Sequence, residues 1–267
     1  MPITAEQQAL IDAIHRVLAA DDDIEAAWLA GSLGRGGGDA YSDVDVLVLA
    51  MDGRLAEVMS RYARDISAIA PPALVNPLYG GRVLNVVDAD WRRFDLSFVE
   101  VGDLGRYDAA ALTTLFNRAG RGPPHKPPVV YRTRPETLLA LVNEFYRMLG
   151  LTTVGMGREE WLLGLTGVDI MRRLTVDLML EQNGVGRIER GGALHWNRLL
   201  TAEQRAALES LAPVTCDRAG IIAANLALAE LFLPRARHLA AEIGMAWPDD
   251  FEAATRRHLR RRLGVEL

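Results

Sequence analysis

A chain of 267 residues, 49% hydrophobic and 24% charged, is long enough for one large or two small domains and too apolar for long disorder. No apolar run approaches the roughly 20 residues that span a bilayer, and the first residues lack the basic-then-apolar pattern of a secretory leader. Cys216 is the only cysteine, which excludes an intrachain disulfide and a paired-cysteine metal site and points to a cytoplasmic protein. The net charge of −5 is uneven: residues 1–125 carry 18 acids against 11 bases, and residues 126–267 carry 17 against 19. An acidic first half disfavours a general nucleic-acid binder and suits divalent metals or cationic substrates.

In chain order, Leu10, Ile11, Ile14, Val17 and Leu18 form one stripe of a helix over residues 5–20, ended by Asp21-Asp22-Asp23. Residues 26–30 read as a short buried strand, residues 31–38 as a glycine-rich turn and Val44–Ala50 as a second apolar strand. The spacing predicts a helix over 53–70 that stops before Pro71-Pro72. Two strands follow, over 82–87 and 94–101, joined as a hairpin by Asp88-Ala89-Asp90. The proline-rich stretch 120–128 reads as a linker. Beyond about residue 133 every apolar period is helical, with Thr201 and Gln204 forming a capping box and a last long helix over 218–243 that contains Pro234. The domains are therefore placed at 1–122 and 129–267.

The chemistry is concentrated in Gly31-Ser32-Leu33-Gly34-Arg35-Gly36 and Ser42-Asp43-Val44-Asp45. Strand period 2 puts Asp43 and Asp45 on one face and Val44, Val46 and Val48 on the other. Two adjacent carboxylates are costly alone, and a divalent cation such as Mg²⁺ offsets that cost. Phosphoryl and nucleotidyl transfer use such clamps. Glycines let backbone N–H groups approach phosphate oxygens, Ser32 can donate to them, and Arg35 offers a forked set of donors.

Gly-Ser, an Arg-Gly loop and Ser-Asp-x-Asp before an apolar strand together resemble the DNA-polymerase-β-type nucleotidyltransferase superfamily. The resemblance implies an α+β fold: an N-terminal α/β domain with a small mixed sheet, followed by a helical, bundle-like domain. It implies binding of two Mg²⁺ ions by Asp43 and Asp45, and nucleotide binding by Gly31, Ser32, Arg35 and Ser42, with ATP or another nucleoside triphosphate as donor. It also implies a third carboxylate on a neighbouring strand, which Asp95 in Arg93-Phe94-Asp95-Leu96 supplies as metal ligand and base. Glu100 is the rival, on the opposite strand face. Asp39 is read as a brace of the glycine loop, and Asp95 has an alternative reading as a partner of Arg92 or Arg93.

More loosely, residues 134–184 resemble the helical domain of small-molecule antibiotic nucleotidyltransferases of the aminoglycoside and lincosamide type. That likeness implies an enzyme that moves AMP onto a hydroxyl of such an acceptor, a role in antibiotic resistance, and a homodimer as one assembly. Glu144, Glu159, Glu160 and Asp169 are the candidates for an acceptor pocket. Tyr146, Trp161 and Trp196 read as core, His195 as a satisfied histidine, and the five arginines within 256–262 as a solvated helix end. The competing functions are a protein-modifying adenylyltransferase, a catalytically dead nucleotide-binding module and a polymer-directed enzyme. No membrane partner is expected.

Overall fold

Thr4 opens the first helix through a capping box. Its hydroxyl accepts from the Gln7 amide while the Gln7 side chain accepts from the Thr4 N–H. The resulting helix, α1 (Ala5–Ala19), turns Leu10, Ile11, Ile14 and Leu18 inward. The structure is a computed structural model that describes residues 3–127, 130–186, 190 and 193–267. It divides into two compact units, residues 1–128 and 129–267.

The first unit is built on a mixed sheet of six strands: β1 (Ile24–Leu29), β2 (Val44–Ala50), β3 (Pro72–Leu78), β4 (Val83–Asp88), β5 (Arg93–Val99) and β6 (Thr113–Asn117). Their spatial order is β3-β4-β5-β2-β1-β6. β2 and β5 run parallel, and the other neighbours are antiparallel. A single helical turn, α2 (Gly31–Gly34), follows β1, and α3 (Leu55–Arg64) follows β2. Val44, Val46, Val48, Phe94, Leu96 and Phe98 face α1 and α3 and form the main core with Leu10, Ile14, Val58 and Tyr62. On the opposite face a smaller cluster of Trp28, Leu47, Leu49, Val99 and Leu104 covers only one end of the sheet. The other end of that face carries Asp45 and Asp95.

Three expectations change here. The helix expected to reach residue 70 stops at Arg64, because Asp65 is extended (φ −147°) and its carboxylate accepts from the Ser67 N–H at 2.9 Å. Ile66, Ile69 and Ala70 are buried all the same, so the apolar spacing was real but served a turn. Two strands have no counterpart in the sequence reading. β3 contains Pro72 and Pro77, tolerated because it lies at the sheet edge, and β6 forms the other edge.

The second unit is helical: α4 (Pro135–Gly157), α5 (Trp161–Gln182), α6 (Trp196–Leu199), α7 (Ala202–Glu209), α8 (Arg218–Ile243) and α9 (Asp249–Leu263). Thr201 caps α7 with the expected box. Leu138, Val142, Phe145 and Leu149 of α4 meet Leu228, Phe232, Ala236 and Leu239 of α8 in one core. The Phe145 and Phe232 rings stack at 3.9 Å between centroids. Tyr146 is fully buried, and Trp161 and Trp196 pack at the margins of two clusters. One point departs from the sequence reading. α8, which continues through Pro234, is long and apolar enough by length and composition to cross a membrane. Its Ile221, Leu228, Phe232, Ala236 and Leu239 are nevertheless spent on the core of this unit.

Glu252 holds α9 in place. It is 6% exposed, accepts from Trp247 Nε1 at 2.6 Å and Arg256 Nε at 2.8 Å, and pairs with Arg237. Burial alone would raise its pKa, but the Trp247 and Arg256 hydrogen bonds outweigh that and hold it below the ordinary glutamate range. Its contribution is therefore present at neutral pH and fades as the medium is acidified below the ordinary range. Glu252→Ala leaves the half-buried Arg256 and Trp247 Nε1 without their acceptor, and Arg237 without its partner, at an expected cost of about 2 kcal/mol. Calorimetry should show the melting temperature falling by about 4–8 °C.

Candidate active site

The site is assembled from strand ends and one loop. Parallel pairing of β2 with β5 places Asp45 opposite Asp95, and antiparallel pairing of β5 with β4 places Asn85 opposite Asp95. β4 pairs Asn85 with Asn76 of β3. Opposed residues share a sheet face, so Asp45, Asp95, Asn85 and Asn76 form one polar row across four strands. Asp43 precedes β2 by one residue and lies near enough to act on both carboxylates.

The Asp45 carboxyl is pushed up to about 6 by burial first, then by the charges of Asp43 and Asp95; Arg35 and Arg93 act in the opposite direction. Asp95 is also raised, mainly by burial, while the 2.7 Å hydrogen bond from Asn85 Nδ2 to its Oδ1 acts against this. Arg93 reaches Asp43 at 3.9 Å and donates to the Tyr41 carbonyl at 3.1 Å. Asp95 has its direct bond to Asn85, not to either neighbouring arginine; Arg92 closes the hairpin on the buried Asp88 instead.

Gly31 stands against Asp45. Its φ is +58°, and a Cβ there would fall 1.8 Å from Asp45 Oδ2. Glycine meets both demands: it accepts the left-handed conformation and leaves room for the carboxylate. Ala30 N–H donates to the Asp45 carbonyl at 2.8 Å, locking the loop to the strand from the backbone side. Ser32 lies half-buried in α2, and Arg35 is exposed just after it.

The remainder of the loop is braced from within. Asp39 accepts from the Tyr41 N–H at 2.9 Å and from Ser42 Oγ at 3.1 Å, and its own N–H donates to Ser42 Oγ. Gln7 Nε2 donates to the carbonyls of Asp39 and Ser42, both at 2.8 Å. Asp39 thus braces the loop as expected. Ser42, expected as a nucleotide contact, has its hydroxyl engaged inside the loop. Glu100 lies beyond β5, where it caps a short helical turn beside Arg82.

The carboxylate set suits a hard divalent cation, because three acids on one sheet face repel one another and one is pushed up to about 6. Among the described residues, no three His, Cys, Asp or Glu side chains already converge as a ready-made metal cage. Arg93 lies 3.9 Å from Asp43, and Asn85 donates to Asp95.

Asn85 and Gln7 escaped the sequence reading, and Arg93, read there as a possible partner of Asp95, reaches Asp43 instead. Asn85 was findable: a hairpin centred on Asp90 puts residue 85 across from residue 95. Gln7 left no signal, since its capping role hides the contact with a loop more than 30 residues away. In the helical unit, Glu144 pairs with Arg147 at 2.6 Å and Asp169 with Arg173 at 3.0 Å. Glu159 and Glu160 are exposed in the turn between α4 and α5, where Glu159 has φ +58°.

No family model and no curated protein sequence matches the chain. Among solved structures it is similar to an aminoglycoside 6-adenyltransferase from Bacillus subtilis, at 14% identity and a TM-score of 0.47, over 96% of this chain and 97% of that one. It is also similar to a nucleotidyltransferase-like protein from Exiguobacterium sibiricum, at 16% identity and a TM-score of 0.35, over 97% and 89% of the two chains.

Proposed function

We propose that the chain is a metal-dependent nucleotidyltransferase that moves a nucleoside monophosphate, AMP from ATP, onto a hydroxyl of a small acceptor. The observation that carries this reading is the pairing of Asp45 with Asp95 across parallel β2 and β5, with Asp43 beside them and Gly31 cleared against Asp45. Asp43 and Asp45 would hold Mg²⁺, with Asp95 completing the set. Bound there, the metal would neutralise phosphate charge and lower the proton affinity of the attacking hydroxyl. Ser32 and Arg35 hold the phosphates by hydrogen bond and charge. Asn85 occupies Asp95 Oδ1 and leaves Oδ2 free to accept the acceptor's proton. The acceptor oxygen bonds to the α-phosphorus, and the bond to pyrophosphate breaks.

The acceptor we favour is an antibiotic-like molecule of the aminoglycoside or lincosamide class, with Glu144, Glu159 and Glu160 as candidate contacts, in a cytoplasmic enzyme able to work as a homodimer. The experiment is a mass-spectrometric screen of such compounds with ATP and Mg²⁺. The expected result is a gain of one nucleoside monophosphate on the small molecule. If the protein itself or a co-purifying protein gains that mass and no compound does, the small-molecule reading fails and protein modification replaces it.

A further inference from the structure

The helical unit contains a cleft of about 740 Å³ between α4, α9 and the start of α8. Four arginines and one histidine line it: Arg147, Arg158, Arg218, Arg262 and His258. Among the described residues, no carboxylate does. Arg147 is already paired with Glu144, and Asp217 next to Arg218 is occupied in capping α8, accepting from the Gly220 N–H at 2.8 Å. The side chains of Arg158, Arg218 and Arg262 have no acidic partner among the described residues. Three unpaired guanidiniums around one cavity repel one another, and an anion relieves that repulsion.

The floor of the cleft is apolar, formed by Leu151, Val154, Met156 and Phe251. Leu151 is 42% exposed and Phe251 39%, large apolar surfaces left to solvent. His258 is fixed at the rim. Thr153 gives its hydroxyl proton to the Gly150 carbonyl at 2.9 Å, so His258 Nε2 donates to Thr153 Oγ1 at 2.9 Å.

We propose that this cleft binds a small phosphate monoester with an apolar or aromatic body. The three unpaired arginines match a dianion better than a carboxylate, and their forked donors suit its oxygens. The floor accepts the body, and the volume fits a molecule of drug size. The arginine run at the end of α9 thereby supplies Arg262 to a ligand site instead of serving only as a solvated face. The inference is independent of the nucleotidyltransferase reading, because it uses none of the residues of the acidic site.

The test is isothermal titration calorimetry with 1-naphthyl phosphate on the full chain carrying Asp45→Asn, without nucleotide. 1-Naphthol, 1-naphthoate and inorganic phosphate serve as partial probes. The phosphate ester is expected to bind at least tenfold more tightly than any of the three. Arg158→Glu and Arg262→Glu, both at exposed positions, are each expected to weaken it at least tenfold while leaving the melting temperature unchanged. The proposal is overturned if 1-naphthyl phosphate does not bind, if both arginine variants bind it as well as the parent, or if 1-naphthol or 1-naphthoate binds equally well. Loss of catalysis in Asp45→Asn with this binding intact separates the two sites.

Discussion

Asp45→Asn is expected to abolish nucleotidyl transfer, with a loss of at least about 10²–10³-fold, and at the same time to stabilise the metal-free protein. The two effects share one cause. Asp45 is half-buried among Asp43 and Asp95, so its charge is unfavourable until a cation compensates it. The folded carboxyl titrates at about 6 against 3.8 for the free side chain. The folded state therefore holds the proton more tightly than the unfolded chain. The stability this contributes is fully present below 3.8 and is lost as pH rises through about 6. After allowance for partial solvent screening, the charged form costs about 1–2 kcal/mol at pH 7.5. In the presence of a chelator, Asp45→Asn should melt about 2–6 °C above the parent at pH 7.5, and the gap should close as pH falls toward 4. Added Mg²⁺ should raise the melting temperature of the parent and not of the variant. Asp43→Asn should lose transfer to a similar extent. Full activity in either variant would sink the two-metal assignment, and an Asp45→Asn protein less stable than the parent at pH 7.5 would remove the electrostatic account of the site.

Gly31→Ala is the second large effect. The new methyl must adopt φ +58°, at about 1–2 kcal/mol, and it falls within bonding distance of Asp45 Oδ2. Either the loop or the carboxylate moves, and a displacement of about 1 Å at a catalytic group costs about 10²-fold in rate. Gly53→Ala provides the control. Gly53 has φ +77° but an open surrounding, so alanine there pays the backbone strain and meets nothing. Gly31→Ala should lose more stability than Gly53→Ala in a denaturant titration, because it adds the clash with Asp45 to the same backbone strain, and only Gly31→Ala should lose transfer. Equal activity in both would show that the close approach to Asp45 has no catalytic consequence.

Much of this was legible before any coordinates. α1, β2, the β4–β5 hairpin and the long helices follow from periods that survive in isolation, because each buries one stripe or one face. The pairing of Asp43 and Asp45 with the glycine loop was legible because strand alternation and glycine's freedom are local properties. β3 was not, since two prolines and near-complete exposure leave no alternating pattern; only its edge position permits it. The end of α3 turned on one Asp65 side chain competing for its own backbone. The partner of Asp95 was missed for a different reason. Nearby arginines looked like the natural counter-charge, but register across the hairpin, not proximity in sequence, chose Asn85. The tie from Gln7 to the loop is a tertiary contact with no sequence signature at all.

β5 and β2 are the two innermost strands of the six, and they carry Asp95 and Asp45. Their backbone amides can be freed only after the strands outside them have come away, which makes them candidates for the slowest-exchanging amides of the first unit. The edge strand β3 can fray and re-form without separating the two acids. Heat should therefore leave the carboxylate pair intact until the whole sheet opens. A protease cutting near β3 would be expected to nick the chain before it disturbs the chemistry.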